Sequence, residues 1–346
     1  MGIHNSTCYN DDVFLAMKQI LLLLLVALCV SCKASPKIVW KFKTGAQVYG
    51  SPSIAGNHLI IGSNDHFLYA LDLDTGMVVW KTDLGDRILS KPLINSGLIY
   101  VGNSSGYFFC LDASSGSIRW RFQGGGLIHY NACSDSDGVY FGGQDGHFYK
   151  ISKNGEKLWD YKTKLYFWGE CAFYNNLIIT TSWDTNVYGF DRASGQVVWK
   201  TSSGLYNYGS PELYKDTVYF ATHTNLYSLN AATGQVLTHH NVAYLDFAVV
   251  SAGYLWTAET GLTKRKLNGE VVGTVNFRSM STAKPAVGDG LIIVSGLKKL
   301  YGVSPDLKIL WEFKAEESFW SPGVFRNNIY YVGNRGSYVY ALRLPK

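Results

Sequence analysis

Trp40, Trp80, Trp120, Trp159 and Trp199 stand 40, 40, 39 and 40 residues apart, and Trp311 falls in phase after two copies without the tryptophan. A period near 40 residues belongs to solenoids and propellers, and it constrains the fold more than any local propensity. The clearest copy runs Ser51-Pro52-Ser53-Ile54-Ala55-Gly56, Leu59-Ile60-Ile61-Gly62-Ser63, Leu68-Tyr69-Ala70-Leu71-Asp72, Thr75-Gly76, Val78-Val79-Trp80. Four short apolar stretches separated by turn residues leave no room for a helix. Asn64-Asp65, Asp145-Gly146 and Asp184-Thr185 mark one reversal, and Asp74-Thr75-Gly76, Ser114-Ser115-Gly116, Ala193-Ser194-Gly195 and Ala232-Thr233-Gly234 mark the next. Asp, Asn, Ser and Gly suit such turns. Composition agrees: 36 Gly, 24 Tyr and 10 Trp accompany only 16% charged residues in 346. These values exclude collagen, coiled coil and a disordered tail.

Four strands per unit make a propeller blade, and the count predicts an all-β, eight-bladed β-propeller of four-stranded antiparallel blades. Seven complete units begin near Val48, Ile88, Ile128, Phe167, Tyr206, Tyr244 and Ser281. The eighth, from Phe319 to Leu344, supplies three strands, and Ile38-Val39-Trp40-Lys41-Phe42 supplies the fourth. Closing the ring this way removes any free sheet edge. The domain reading is a signal segment over 1–31, a lipidated tether over 32–37 and a propeller over 38–346.

The motif Ala70-Leu71-Asp72, Thr75-Gly76, Trp80 resembles the repeat of PQQ-like (pyrroloquinoline-quinone-type) propellers with their tryptophan-docking motif. The resemblance implies that Trp40, Trp80, Trp120, Trp159, Trp199 and Trp311 are staples between blades. Ala70, Cys110, Gly189, Gly302 and Ala341 then hold the small position beside them. Blade three departs with Lys150 at that position, and Leu237 and Gly273 stand where blades five and six would carry Trp.

The N-terminal stretch Ile20–Val30 is apolar and follows Lys18. Eleven residues are too few to span a bilayer and suit a secretory signal. Cys29-Val30-Ser31-Cys32 resembles the lipobox of bacterial lipoproteins, which implies lipidation of Cys32. Asp11 and Asp12 do not suit a signal start, so translation is expected from Met17. A lipobox followed by one propeller resembles the BamB-like outer-membrane assembly lipoproteins. That resemblance implies a monomeric, noncatalytic scaffold on the periplasmic side of the outer membrane, binding envelope proteins such as β-barrel assembly components.

Enzymatic readings find little support in the residues. Quinoprotein dehydrogenases share the propeller, but no Cys-Cys pair, no C-x-x-C-H and no long insertion between units occurs here, so no quinone or other cofactor is expected. Asp72, Asp112 and Asp191 recur with the period, as turn residues do. His58, His66, His129, His147, His223, His239 and His240 lack zinc spacing, and no metal site is expected. Gly124-Gly125-Gly126 lacks the Lys and helix of a phosphate loop. A net charge of +5 with scattered Lys and Arg argues against nucleic acid. Cys133 and Cys171 fall on first strands of adjacent units, one position out of register, and free buried thiols are expected.

Binding is expected at one mouth of the channel. Tyr49, Leu89, Trp168, Tyr208 and Phe319 occupy the entry into each innermost strand, with His129, Tyr130, Phe167 and Trp320 beside them. Arg87, Lys91, Glu170 and Lys284 add charge in the same region. Such a rim suits a protein loop, with a glycan or small ligand as the alternative.

Overall fold

The computed structural model describes residues 34–345 apart from 208, 243–246, 259–260, 278–282 and 289. Alternating apolar stretches pair into eight four-stranded antiparallel sheets, each with its strands in sequential order except the last. Seven blades span 53–83, 93–123, 133–162, 167–202, 212–241, 248–276 and 286–314. Blade eight joins three strands of 324–343 to Lys37–Lys43, whose partner is Tyr338–Arg343 with Trp40 opposite Ala341 and Phe42 opposite Val339. The sequence-predicted ring closure by the first strand is therefore the observed one.

Except for Phe167–Tyr174 in blade four the first strands are short, and those of blades one and two, three and four, four and five, and five and six touch, which places the first strands innermost. Fourth strands are outermost and half exposed. Every blade has a register shift between its third and fourth strands, at Ile38/Trp40, Ala70/Leu71 and the six equivalent sites. Such a bulge re-aims the side chain beside it. Here it turns the indole toward the next blade.

Five indoles bridge in the same way. Trp40, Trp80, Trp120, Trp159 and Trp199 donate Nε1–H to the carbonyls of Leu73, Ala113, Lys153, Arg192 and Ala231, at 2.8, 3.3, 2.7, 3.1 and 3.2 Å. Each ring also lies on a glycine of the following blade: Gly76, Gly116, Gly155, Gly195 and Gly234, all at positive φ. A Cβ at Gly76 would stand 2.6 Å from the Trp40 ring. Trp311 is buried in one cluster with Leu342 and Leu344. Leu344 donates to the Asn328 carbonyl just as Leu73 donates to that of Asn57, so the chain end takes the place of a turn.

The blades without Trp dock by other means. In blade five the position opposite the small Ser228 is Thr238, and Leu237 sits in the bulge, half exposed; the expected Leu237 is thus off by one. His240 takes over the contact, lying where a Cβ of Gly269 in blade six would be. In blade six Gly273 does occupy the Trp position, opposite Lys264. Lys264 Nζ donates to the Pro305 carbonyl of blade seven at 3.0 Å, where an indole N–H would have donated.

Cys133 and Cys171 are bonded to each other, with Cα atoms 6.0 Å apart. That corrects the expectation of free thiols. Successive strand residues do face opposite ways, but neighbouring blades stack face to face. A one-position offset therefore aims one sulfur forward and the other back, toward each other. Cys110 is a buried free thiol.

Candidate functional site

Each blade reaches its neighbour through an entry loop, and the hairpin between its own second and third strands comes to the same end. Repeated backbone bonds join the two: Asn64 N–H to Gln47 O, Ser104 to Arg87, Gln144 to Leu127, Trp183 to Tyr166 and Arg335 to Ser318, all 2.8–2.9 Å. Within an entry loop two consecutive residues part company. The first is a wedge buried between blades: Val48, Ile88, Ile128, Phe167 and Phe319 are fully buried. The second is partly exposed, at Tyr49, Leu89, His129 and Trp168, or exposed, at Trp320.

Phe319 is therefore a core residue against Tyr340 and not part of the rim; its expected place is held by Trp320, which is 47% exposed. The shift arises because Pro322 comes three residues after the wedge Phe319, where Pro52 comes four after Val48 and Pro92 four after Ile88, so alignment on the proline picks the wedge instead of its neighbour. In blade five the wedge is Asn207, fully buried, with its amide donating to the Ser182 and Asn186 carbonyls. Tyr208 lies outside the described residues.

Two aromatic groups form on this face. Tyr49 and Trp320 meet edge to face at 5.7 Å, with the Arg335 guanidinium 4.8 Å from the Trp320 ring centre and 5.6 Å from that of Tyr49. Across blades three and four, Tyr130 lies 4.3 Å from Trp168, which stacks on Trp183 at 4.6 Å and 10°. Tyr166 and Tyr206 flank Trp183 at 5.6 Å each. Trp183 was not legible as a rim residue. It sits in a hairpin where the other copies carry Asn64, Ser104, Gln144 and Arg335, so no aromatic period announces it.

Nearby, Arg87 is exposed and lies 3.9 Å from Asp86. The Ser104 hydroxyl is 2.9 Å from His129 Nε2. Burial, and then the Arg87 cation, hold His129 below the ordinary histidine value.

Inside the mouth, equivalent positions of successive blades carry Ser51, Lys91, Asn131, Glu170 and Ser210. They link around the channel: Lys91 N–H donates to Asn131 Oδ1 at 2.8 Å, Asn131 Nδ2 to Glu170 Oε1 at 2.6 Å, and Glu170 N–H to Ser210 Oγ at 2.9 Å. Lys284, from blade seven, is ion-paired with Glu212. Burial works against the charge of Lys284, but Glu212 and Glu170 more than offset it, so the ammonium is held above the ordinary lysine value. Two cavities of about 400 and 620 Å³ occupy the channel, and both are lined by Lys91, Asn131 and Glu170. The structure thus brings Tyr49, Lys91, Glu170, Lys284 and Trp320 to the channel, and gathers Tyr130 and Trp168 beside it.

The periodic acids are engaged in the fold. Asp65, Asp145 and Asp184 accept from the hydroxyls of Tyr69, Tyr149 and Tyr188. Asp72, Asp112 and Asp191 accept from backbone and hydroxyl groups of the next turn, and side-chain and backbone hydrogen bonds hold their carboxyls below the usual range. Among the described residues no three His, Cys, Asp or Glu side chains converge as a metal site.

The family model described as outer membrane protein assembly factor BamB matches residues 30–164 and 110–249, more than half of the chain. The chain belongs to the BamB-like PQQ propeller family. Solved structures share the architecture of this BamB-like chain at low identity. BamB from Moraxella catarrhalis superposes with a TM-score of 0.79 at 15% identity, covering 89% of this chain and 100% of its own. The computationally designed Ika8 protein gives 0.78 at 14% identity, with coverages of 87% and 98%. A europium-containing methanol dehydrogenase gives 0.76 at 12% identity, with coverages of 89% and 93%. No curated protein matches the sequence. A BamB, a designed protein and a methanol dehydrogenase on one architecture show that the propeller alone does not select an activity.

Proposed function

We propose that this BamB-like chain is a noncatalytic scaffold of the bacterial envelope that grips another protein at its channel mouth. The observation that carries the reading is the grouping of Tyr49, Trp320, Tyr130, Trp168 and Trp183 on one end of the ring, around a channel lined by Lys91, Asn131 and Glu170. Tyr and Trp are the side chains most enriched at binding hot spots. The family's description as an outer-membrane assembly factor supports envelope proteins of the β-barrel assembly machinery as partners. In this reading the chain is exported by its 1–31 segment, and lipid on Cys32 holds it at the outer membrane, facing the periplasm. Cys32 lies outside the described residues.

A quinone with its divalent metal does not fit the channel. The carboxylates that would hold the metal are Glu170 and Glu212, and both are engaged: Glu212 is ion-paired with Lys284, whose ammonium would also repel a divalent cation, and Glu170 accepts from Asn131. Glycan capture is also less well served, because Trp168 and Trp183 stack on each other and are packed further by Tyr130, Tyr166 and Tyr206, whereas a sugar would need a free ring face.

Crosslinking and pulldown from intact envelopes tests the proposal. Wild-type protein should recover envelope proteins, and a Tyr49→Ala, Trp168→Ala, Trp183→Ala variant with an unchanged melting temperature should lose them. Equal recovery by that variant would remove the rim from the mechanism. Metabolic labelling with palmitate, lost in Cys32→Ser, checks the anchor separately.

A further inference from the structure

The charged groups along the channel are nearly all partnered. Glu170 accepts from Asn131, Lys284 pairs with Glu212, and Arg326 donates to the Gly56 carbonyl. Lys91 differs. Its backbone is fixed by Asn131, and its side chain lies where both cavities meet. Yet its ammonium has no hydrogen-bond or ion-pair partner among the described residues. An ammonium partly withdrawn from water without a counter-charge is unfavourable, and it attracts any anion that can reach it.

Its surroundings narrow the choice of anion. Pro52, Pro92 and Phe325 make the walls beside it apolar, and Tyr49 and Trp320 stand at the opening above, with Arg335 over both rings. Cations thus gather on the side of blades eight, one and two. Glu170, two blades further round the same ring of positions, is an acceptor suited to a peptide N–H and repels a multiply charged anion such as phosphate. A single carboxylate on a chain that also carries N–H donors and an apolar neighbour matches all of these. The upper cavity, about 400 Å³, is within the usual range for a ligand of a few side chains.

We propose that the channel is a socket for an acidic residue on an extended segment of the partner protein, its carboxylate seated on Lys91 and its apolar neighbours on Tyr49 and Trp320. This deepens the scaffold reading and rests on it. It supplies what an aromatic rim alone lacks: a charge-selective contact at the bottom of the site.

The probe is the peptide Ac-Gly-Phe-Glu-Phe-Gly-NH2, with its Glu→Gln twin and free glutarate, titrated into the full chain by calorimetry and tryptophan fluorescence. The Glu peptide should bind wild type about tenfold more tightly than the Gln twin, the scale of one charge-assisted contact. The difference should shrink with added salt. Lys91→Met should abolish the discrimination at an unchanged melting temperature, and Lys91→Arg should retain it. Equal affinity for the two peptides, no binding at millimolar concentration, or discrimination that survives Lys91→Met would overturn the socket. Glutarate binding as well as the Glu peptide would overturn its assignment to a peptide. If Lys91→Met still recovers envelope proteins like wild type, the socket fails while the scaffold reading stands.

Discussion

The ammonium of Lys150 donates to the carbonyl oxygen of Arg192 across a blade boundary, at 2.8 Å. The same oxygen accepts the indole N–H of Trp159 at 3.1 Å. Lys150 stands at the position that is Ala, Cys or Gly beside the other docking tryptophans, and it is only 4% exposed. A long cation thus duplicates the hydrogen bond that the ring beside it already makes.

Redundancy of this kind predicts coupling. Trp159→Phe should cost about 1–2 kcal/mol while Lys150 still serves the carbonyl. In a Lys150→Met background the same change should cost more, because the Arg192 oxygen then has no donor. A double-mutant cycle by urea unfolding measures the difference. Strict additivity would show that the two donors act independently.

Gly76 and Gly56 separate backbone strain from docking. Both have positive φ, +71° and +58°, but a Cβ on Gly76 meets the Trp40 ring whereas one on Gly56 meets nothing within 4 Å. Gly56→Ala should cost about 1 kcal/mol from conformation alone. Gly76→Ala should cost about 2–4 kcal/mol, since the indole must also move. Equal losses in thermal unfolding would mean that the Trp40 contact contributes little.

Deleting residues 36–44 should open the ring, remove the Trp40 staple and expose the edge of Tyr338–Arg343. The expected result is a large fall in melting temperature with concentration-dependent association, read by calorimetry and light scattering. An unchanged melting temperature would contradict closure by this strand.

The neutral state of His129 makes part of the stability depend on pH. Burial and Arg87 lower its folded value, against a smaller opposing effect of Asp86, while the unfolded chain titrates near about 6.5. Below that value the unfolded state binds more protons, so this contribution is complete above about pH 6.5 and is lost as pH falls through the folded value. Melting temperatures at pH 7.5 and 5.5 should therefore fall less in His129→Gln than in wild type. An identical fall would remove His129 from the account.

The blade count and ring closure were legible because the tryptophans and turn glycines repeat in kind as well as in spacing. What was hidden had changed residue type. His240 against Gly269 and Lys264 to Pro305 do the work of an indole with different chemistry, so a search for Trp passes over them. Phe319 shows that one residue of phase separates the core from the rim. The disulfide was missed because strand alternation was applied within a blade, whereas the bond joins two stacked ones. Trp183 and the unpartnered Lys91 became visible only once the loops and walls around them were in place.

Pairing Lys37–Lys43 with Tyr338–Arg343 also gives the ring a test of its own integrity. The earliest strand of the propeller finds its partner only when the latest has been delivered. A product truncated before Tyr338 would keep two raw sheet edges, and quality control could recognise them. Only a full set of blades presents a sealed surface.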